Sequence, residues 1–125
     1  MLAMLIAIAL PVPFSKQATT VLGVWAGESR CVGMHPSCHD EHVVYRIDSV
    51  GPRSAVVRGS RVAAGDTVAM GALTCESDRP GRGVTCRIPL VNWHFWVAEG
   101  QLRGSLVLAD STEARRVAAQ RVPPG

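Results

Sequence analysis

Lysine is nearly absent from this chain of 125 residues: Lys16 is the only one, and every other basic residue is an arginine. Aromatic residues make up 5% of the chain, with Tyr45 the single tyrosine. There is no basic block and no stripe of aromatics alternating with basic residues. The arginines are interleaved with acids, so the electrostatic footprint of a nucleic-acid groove is missing. No apolar run reaches the ~20 residues of a membrane-spanning helix. No serine sits in a G-x-S-x-G elbow, no cysteine pair has C-x-x-C spacing, and no two acids can be argued to face each other across a cleft. Without an acid–base or nucleophile constellation, the expectation is a protein that is not an enzyme and needs no cofactor.

What is present is 47% hydrophobic and 18% charged, with a net charge of +3, which fits one globular domain with no room for a second core. Residues 1–10 (MLAMLIAIAL) form an apolar run with the length of a signal-peptide core. We read residues 1–18 as a signal peptide, 19–121 as the domain and 122–125 as a disordered tail; the alternative for the leader is an N-terminal strand or a buried segment. Four cysteines in so small a domain agree with export, to the periplasm or beyond the cell. They allow three connectivities. The pairing Cys31–Cys38 with Cys75–Cys86 is favoured, because each pair brackets a short turn-rich segment, and each bond should contribute roughly 2.5 to 3 kcal/mol.

After the leader, short apolar segments alternate with turn chemistry at nearly regular intervals, which predicts an all-β domain. The expected strands are 21–30, 42–50, 54–62, 67–76, 83–89, 91–97, 101–108 and 112–121. The clearest two-residue period lies in 91–97, where Val91, Trp93, Phe95 and Val97 share one face and Asn92, His94 and Trp96 the other. Residues 111–120 also read as a helix, with Ser111 or Thr112 as its cap. Strand is favoured there, because an eight-stranded antiparallel sheet can close into an up-and-down barrel and lose its edges.

The Gly23-x-Trp25 pair on the first strand resembles the lipocalin and wider calycin pattern. That resemblance implies that Trp25 closes one barrel end as a structural plug and packs against an arginine of the last strand, here Arg115 or Arg116. A longer run covers most of the chain: Gly23-x-Trp25-x-Gly27-x-Ser29-x-Cys31, Cys38-x-x-Glu41-x-Val43-Val44-Tyr45-Arg46, Met70-Gly71-x-Leu73, Trp93-x-Phe95 and Gly104-x-Leu106. It resembles a family of small exported bacterial proteins of no assigned activity, which implies export and β-architecture and adds no mechanism. The chain departs from that pattern at 59–66, where a lysine-containing segment is expected, so that loop carries no ligand inference.

The densest polar cluster is 31–42 (CVGMHPSCHDEH), with His35, His39, Asp40, Glu41 and His42 beside two cysteines. A zinc site is the sharp reading; a polar, disulfide-closed loop at the barrel rim is favoured, since the order of the residues matches no zinc pattern and exported thiols oxidise. His94 reads as a surface residue. Val84, Trp93 and Phe95 are candidate lining for a ligand cavity, and Trp93 and Phe95 are first of all core. Two functions are therefore expected: a barrel that binds a small apolar or amphipathic ligand, or a solid barrel that acts through its surface as an interaction or inhibitor module. Residue size at the inward positions decides between them.

Overall fold

The structure, a computed structural model, describes residues 20–33, 36–79 and 81–123. The expected leader at 1–18, His35 and the end of the expected tail at 124–125 lie outside the described residues. The strands are β1 (Gly23–Cys31), β2 (Glu41–Gly51), β3 (Ser54–Ala63), β4 (Asp66–Arg79), β5 (Gly83–Ile88), β6 (Val91–Ala98), β7 (Gln101–Leu108) and β8 (Glu113–Arg121). Each pairs antiparallel with the next, and β8 pairs with β1, closing an all-β, eight-stranded up-and-down barrel consistent with a calycin-like fold.

Tight turns separate the strands where the sequence permits a positive φ. Ala64-Gly65 (φ 52 and 83) joins β3 to β4, and Glu99-Gly100 (φ 54 and 75) joins β6 to β7. Both are two-residue connections with the left-handed backbone that matches strand twist. The sequence also offers Gly65-Asp66 as the turn between these strands, and the structure places it one residue earlier. Pro89-Leu90 joins β5 to β6 with Leu90 at φ 74, an unusual choice at a position that favours glycine.

Residues 113–121 are strand, and the helical alternative fails for a reason outside the segment. β8 exchanges backbone hydrogen bonds with β7 on one side and β1 on the other, from Leu102↔Ala119 to Trp25↔Arg121. A helix there would leave both neighbouring edges unpaired, a cost that local helix propensity does not offset. Both disulfides form as the sequence suggests: Cys31–Cys38 closes the β1–β2 loop, and Cys75–Cys86 bridges β4 and β5 at a Cα–Cα distance of 4.3 Å.

Inward positions alternate with outward ones, and the inward set forms one core around Trp25, Ile47, Val57, Val84, Phe95, Leu102 and Val117. The outward set mixes charged side chains with exposed apolar ones such as Val50 and Val62. Arg46 and Arg58 flank Asp48, Arg30 pairs with Glu28, and Arg116 pairs with Glu113. Among the described residues no helix is long and apolar enough to cross a membrane.

Trp25 is fully buried and seals one end of the barrel. Its Nε1 donates to the Val21 carbonyl at 2.8 Å, which folds the segment before β1 back under the ring. The Val21 amide in turn donates to Gly81 in the β4–β5 turn. The arginine over the indole is Arg121, 4.2 Å from the ring centroid, rather than Arg115 or Arg116. The correction follows from strand direction: β1 and β8 are antiparallel, so the start of β1 meets the end of β8. Arg115 pairs instead with Cys31 at the far end of β1, and Arg116 points outward to Glu113. Arg121 also donates to the carbonyls of Leu22 and Thr20, each at 2.8 Å, and burial lowers its pKa from the ordinary guanidinium value. Val122, assigned to the tail from the sequence, donates its amide to Val24 and extends this closure by one residue.

Trp25→Ala should therefore destabilise the fold by about 3–5 kcal/mol, as for other core aromatic deletions. Arg121→Ala should also destabilise, since it removes a cation–π contact worth about 0.5–2 kcal/mol and strands two carbonyls. Arg116→Ala should change stability by less than about 1 kcal/mol, because its ion pair with Glu113 is solvent-exposed. Denaturant unfolding of the three variants checks the order. An Arg116→Ala loss equal to that of Arg121→Ala would refute the assignment.

Candidate functional site: a half-filled barrel

The barrel is packed at the Trp25 end and hollow at the other. A cavity of about 420 Å³ occupies the open half, and its walls include Tyr45, Val57, Leu73, Trp93, Phe95 and Leu106. Aromatic rings form its floor and one side. Phe95 lies 5.1 Å from Tyr45 in a tilted contact and 5.3 Å from Trp93 in a stacked one. Phe95 takes its position because Gly104 opposes it on β7: a Cβ there would come within 2.9 Å of the ring. The residues expected to line a ligand site divide accordingly. Trp93 and Phe95 are on the cavity wall, whereas Val84 is buried in the packed core next to Phe95 and does not line it.

One seam runs along this wall. β3 pairs with β4 over its full length, from Ser54↔Glu76 to Ala63↔Asp66, yet the β4–β5 register comprises only Glu76↔Thr85, Ser77↔Val84 and Arg79↔Gly83. Beyond the Cys75–Cys86 bridge the two strands make no further ladder pair among the described residues. Met70, Gly71, Ala72 and Leu73 on one side of that stretch and Ile88 on the other all line the cavity. The disulfide therefore sits where the sheet would otherwise begin to part.

Polar groups gather at the open half: Ser29, Glu41, Tyr45 and Arg115. Arg115 shares the inward phase of Val117 and Ala119, so the strand carries its charge into the barrel. Its Nη1 donates to the buried Ser29 hydroxyl at 3.1 Å, and its Nη2 donates to the His39 carbonyl of the disulfide loop at 3.0 Å. Tyr45 is only 6% exposed. Its hydroxyl makes no hydrogen bond among the described residues, yet no fully buried side-chain oxygen lacks a partner, so that hydroxyl borders the cavity. Burial raises the Tyr45 pKa to about 12, with Glu41 pushing it further up and Arg115 pulling it back. The phenol stays protonated at neutral pH and presents a donor to the cavity.

The histidine-rich loop is closed by its disulfide, and His35 lies outside the described residues. Cys31 and Cys38 are bonded to each other, the Asp40 carboxylate accepts from the Cys31 amide at 2.8 Å, and among the described residues no group of three His, Cys, Asp or Glu could hold a metal ion. One polar cluster was not foreseen. On the outer face, Thr85 Oγ1 hydrogen-bonds Asp78 at 2.8 Å and lies 3.0 Å from His94 Nδ1, which is itself 3.2 Å from Asp78. It resembles a hydroxyl–imidazole–carboxylate relay, but a relay needs hydroxyl and carboxylate on opposite ring nitrogens, and here both face Nδ1. This cluster fixes the His94 ring, which stacks on Trp96.

Fold and site together define an eight-stranded barrel of calycin-like form with one end plugged and one half hollow. No family model matches the chain, and no curated protein matches it.

Because Tyr45 is the only tyrosine, its titration can be followed directly by phenolate absorbance. The native protein should ionise at about 12, against ~10 once unfolded. A raised native pKa of this sign contributes stability that is intact below about pH 10 and is lost as the pH climbs toward the native value. A native midpoint near that of free tyrosine would place the hydroxyl in bulk water and refute this geometry.

Proposed function

We propose that this protein is a small exported binding protein that carries an apolar or amphipathic small molecule in the open half of its barrel. The observation that supports it is the cavity: about 420 Å³ walled by Val57, Leu73, Trp93, Phe95 and Leu106, above a plugged end. That volume lies within the ~300–1,000 Å³ of small-molecule pockets, which pair apolar walls with a few placed polar groups. Two disulfides suit an oxidising compartment. The resemblance to exported calycin-like proteins agrees with that placement. The solid-barrel alternative requires inward side chains that fill both halves, and here they fill only one.

The test is saturable binding of a neutral apolar fluorophore such as N-phenylnaphthylamine to the folded, disulfide-bonded protein. One molecule should bind per barrel, and decanol should displace it. Leu73→Trp fills cavity volume and should weaken binding roughly tenfold or more while the protein stays folded. Absence of saturable binding, or binding that Leu73→Trp leaves unchanged, would overturn the proposal.

A further inference from the structure

We infer that the open half of the barrel selects a ligand with an anionic head group, held by Arg115 and Tyr45, on a single alkyl chain; this rests on the binding reading above. Arg115 lines the cavity and has no carboxylate within ion-pair distance among the described residues. A guanidinium has five N–H donors, and Ser29 and His39 take one each. Those two bonds fix the plane of the group and leave further donors for an incoming oxyanion. Ser29 is 2% exposed, so the anchor itself is rigid.

Tyr45 supplies the second contact. It is more than nine-tenths buried, its hydroxyl borders the cavity without a partner, and it is close enough to Arg115 to feel that charge. A protonated phenol beside an arginine offers neutral and charged donors to the same acceptor. Charge-assisted bonds of this kind are about twice as strong as neutral ones. An alkyl chain leaving this head would run along Phe95, Trp93 and Leu73, which are apolar. Carboxylate and phosphate both match a guanidinium, so the shared chemistry is the oxyanion.

Glu41 also lines the cavity and carries the opposite sign to Arg115. It opposes an anion at the head position and raises the Tyr45 pKa, which keeps the phenol a donor. A ligand with a cationic head would instead use Glu41, and the two cases predict opposite effects of removing that charge.

The experiment measures the affinities of decanoate, decyl phosphate and decanol for the full chain at neutral pH. At least one anion should bind roughly tenfold or more tightly than decanol, and the tighter of the two identifies the head group. Arg115→Gln should bring the ratio of anion to alcohol affinity close to one, and Arg115→Lys should retain part of the preference. Tyr45→Phe, which keeps the ring packing, should lower the ratio severalfold and carries the test if Arg115→Gln does not fold. Glu41→Gln should raise the ratio. Equal binding of all three ligands, a preference that survives both Arg115→Gln and Tyr45→Phe, or a lower ratio in Glu41→Gln would overturn the inference and leave the binding reading intact. Failure of all three to bind would remove both.

Discussion

The contact on which this barrel depends is the meeting of its first and last strands at Trp25 and Arg121. A closed barrel of eight strands has no free edge only if β1 and β8 find each other, and they are the elements farthest apart in sequence. The register of that seam is fixed by more than backbone bonds. A guanidinium 4.2 Å above the indole also grips the carbonyls of Thr20 and Leu22, so one residue of β8 holds the ring, the strand start and the strap beneath it. Slipping β8 by one residue would turn Arg121 outward and expose Val117 and Ala119, which are buried. The plug therefore sets the register as well as closing the end.

With that end filled, the character of the other half follows from what is left over. Trp25, Ile47, Leu102 and Val84 use up the interior near the plug. Farther along, Phe95 lies against Gly104 and Tyr45 lies against Gly59, so two large rings occupy space at the walls and leave the axis open. Asking whether Trp93 and Phe95 are core or lining sets up a false choice. Phe95 is a single layer with the packed core beneath it and the cavity above, and its 1% exposure comes from serving as the boundary.

Most of the fold was legible in the sequence, because period-two alternation and turn residues are local signals. The eight strands, their approximate ends and both disulfides could be read that way. The partner of Trp25 was misread for a reason that was also available: the first and last strands of an even-numbered up-and-down barrel run antiparallel, which favours the terminal Arg121 over Arg115 and Arg116. Tyr45 lies in phase with Val43 and Ile47, and all three are buried on the inward face. Nothing local indicated that the barrel would be hollow at its level, since cavity volume is a sum over all strands. The more telling missed signal was Arg115, a charge in phase with Val117 and Ala119 on an otherwise apolar face. An inward charge among apolar neighbours marks either an ion pair or a place where the interior is not dry.

Arg115 explains why the hollow half can exist without collapsing. A charged group buried in a dry core would cost several kcal/mol unless paired, and Arg115 has two hydrogen bonds but no ion pair among the described residues. It must face water or a ligand, and the cavity provides the room. The Tyr45 hydroxyl obeys the same constraint more weakly, because an unpartnered phenol is tolerated where solvent reaches it. Shrinking the cavity would bury a charge with no ion pair and a phenol with no partner, so the polar residues at the open half act against closure while the aromatic layer supports the walls. The plugged half supplies rigidity and the hollow half supplies unsatisfied donors, and a binding site results where these two requirements meet across the Tyr45–Phe95–Trp93 layer.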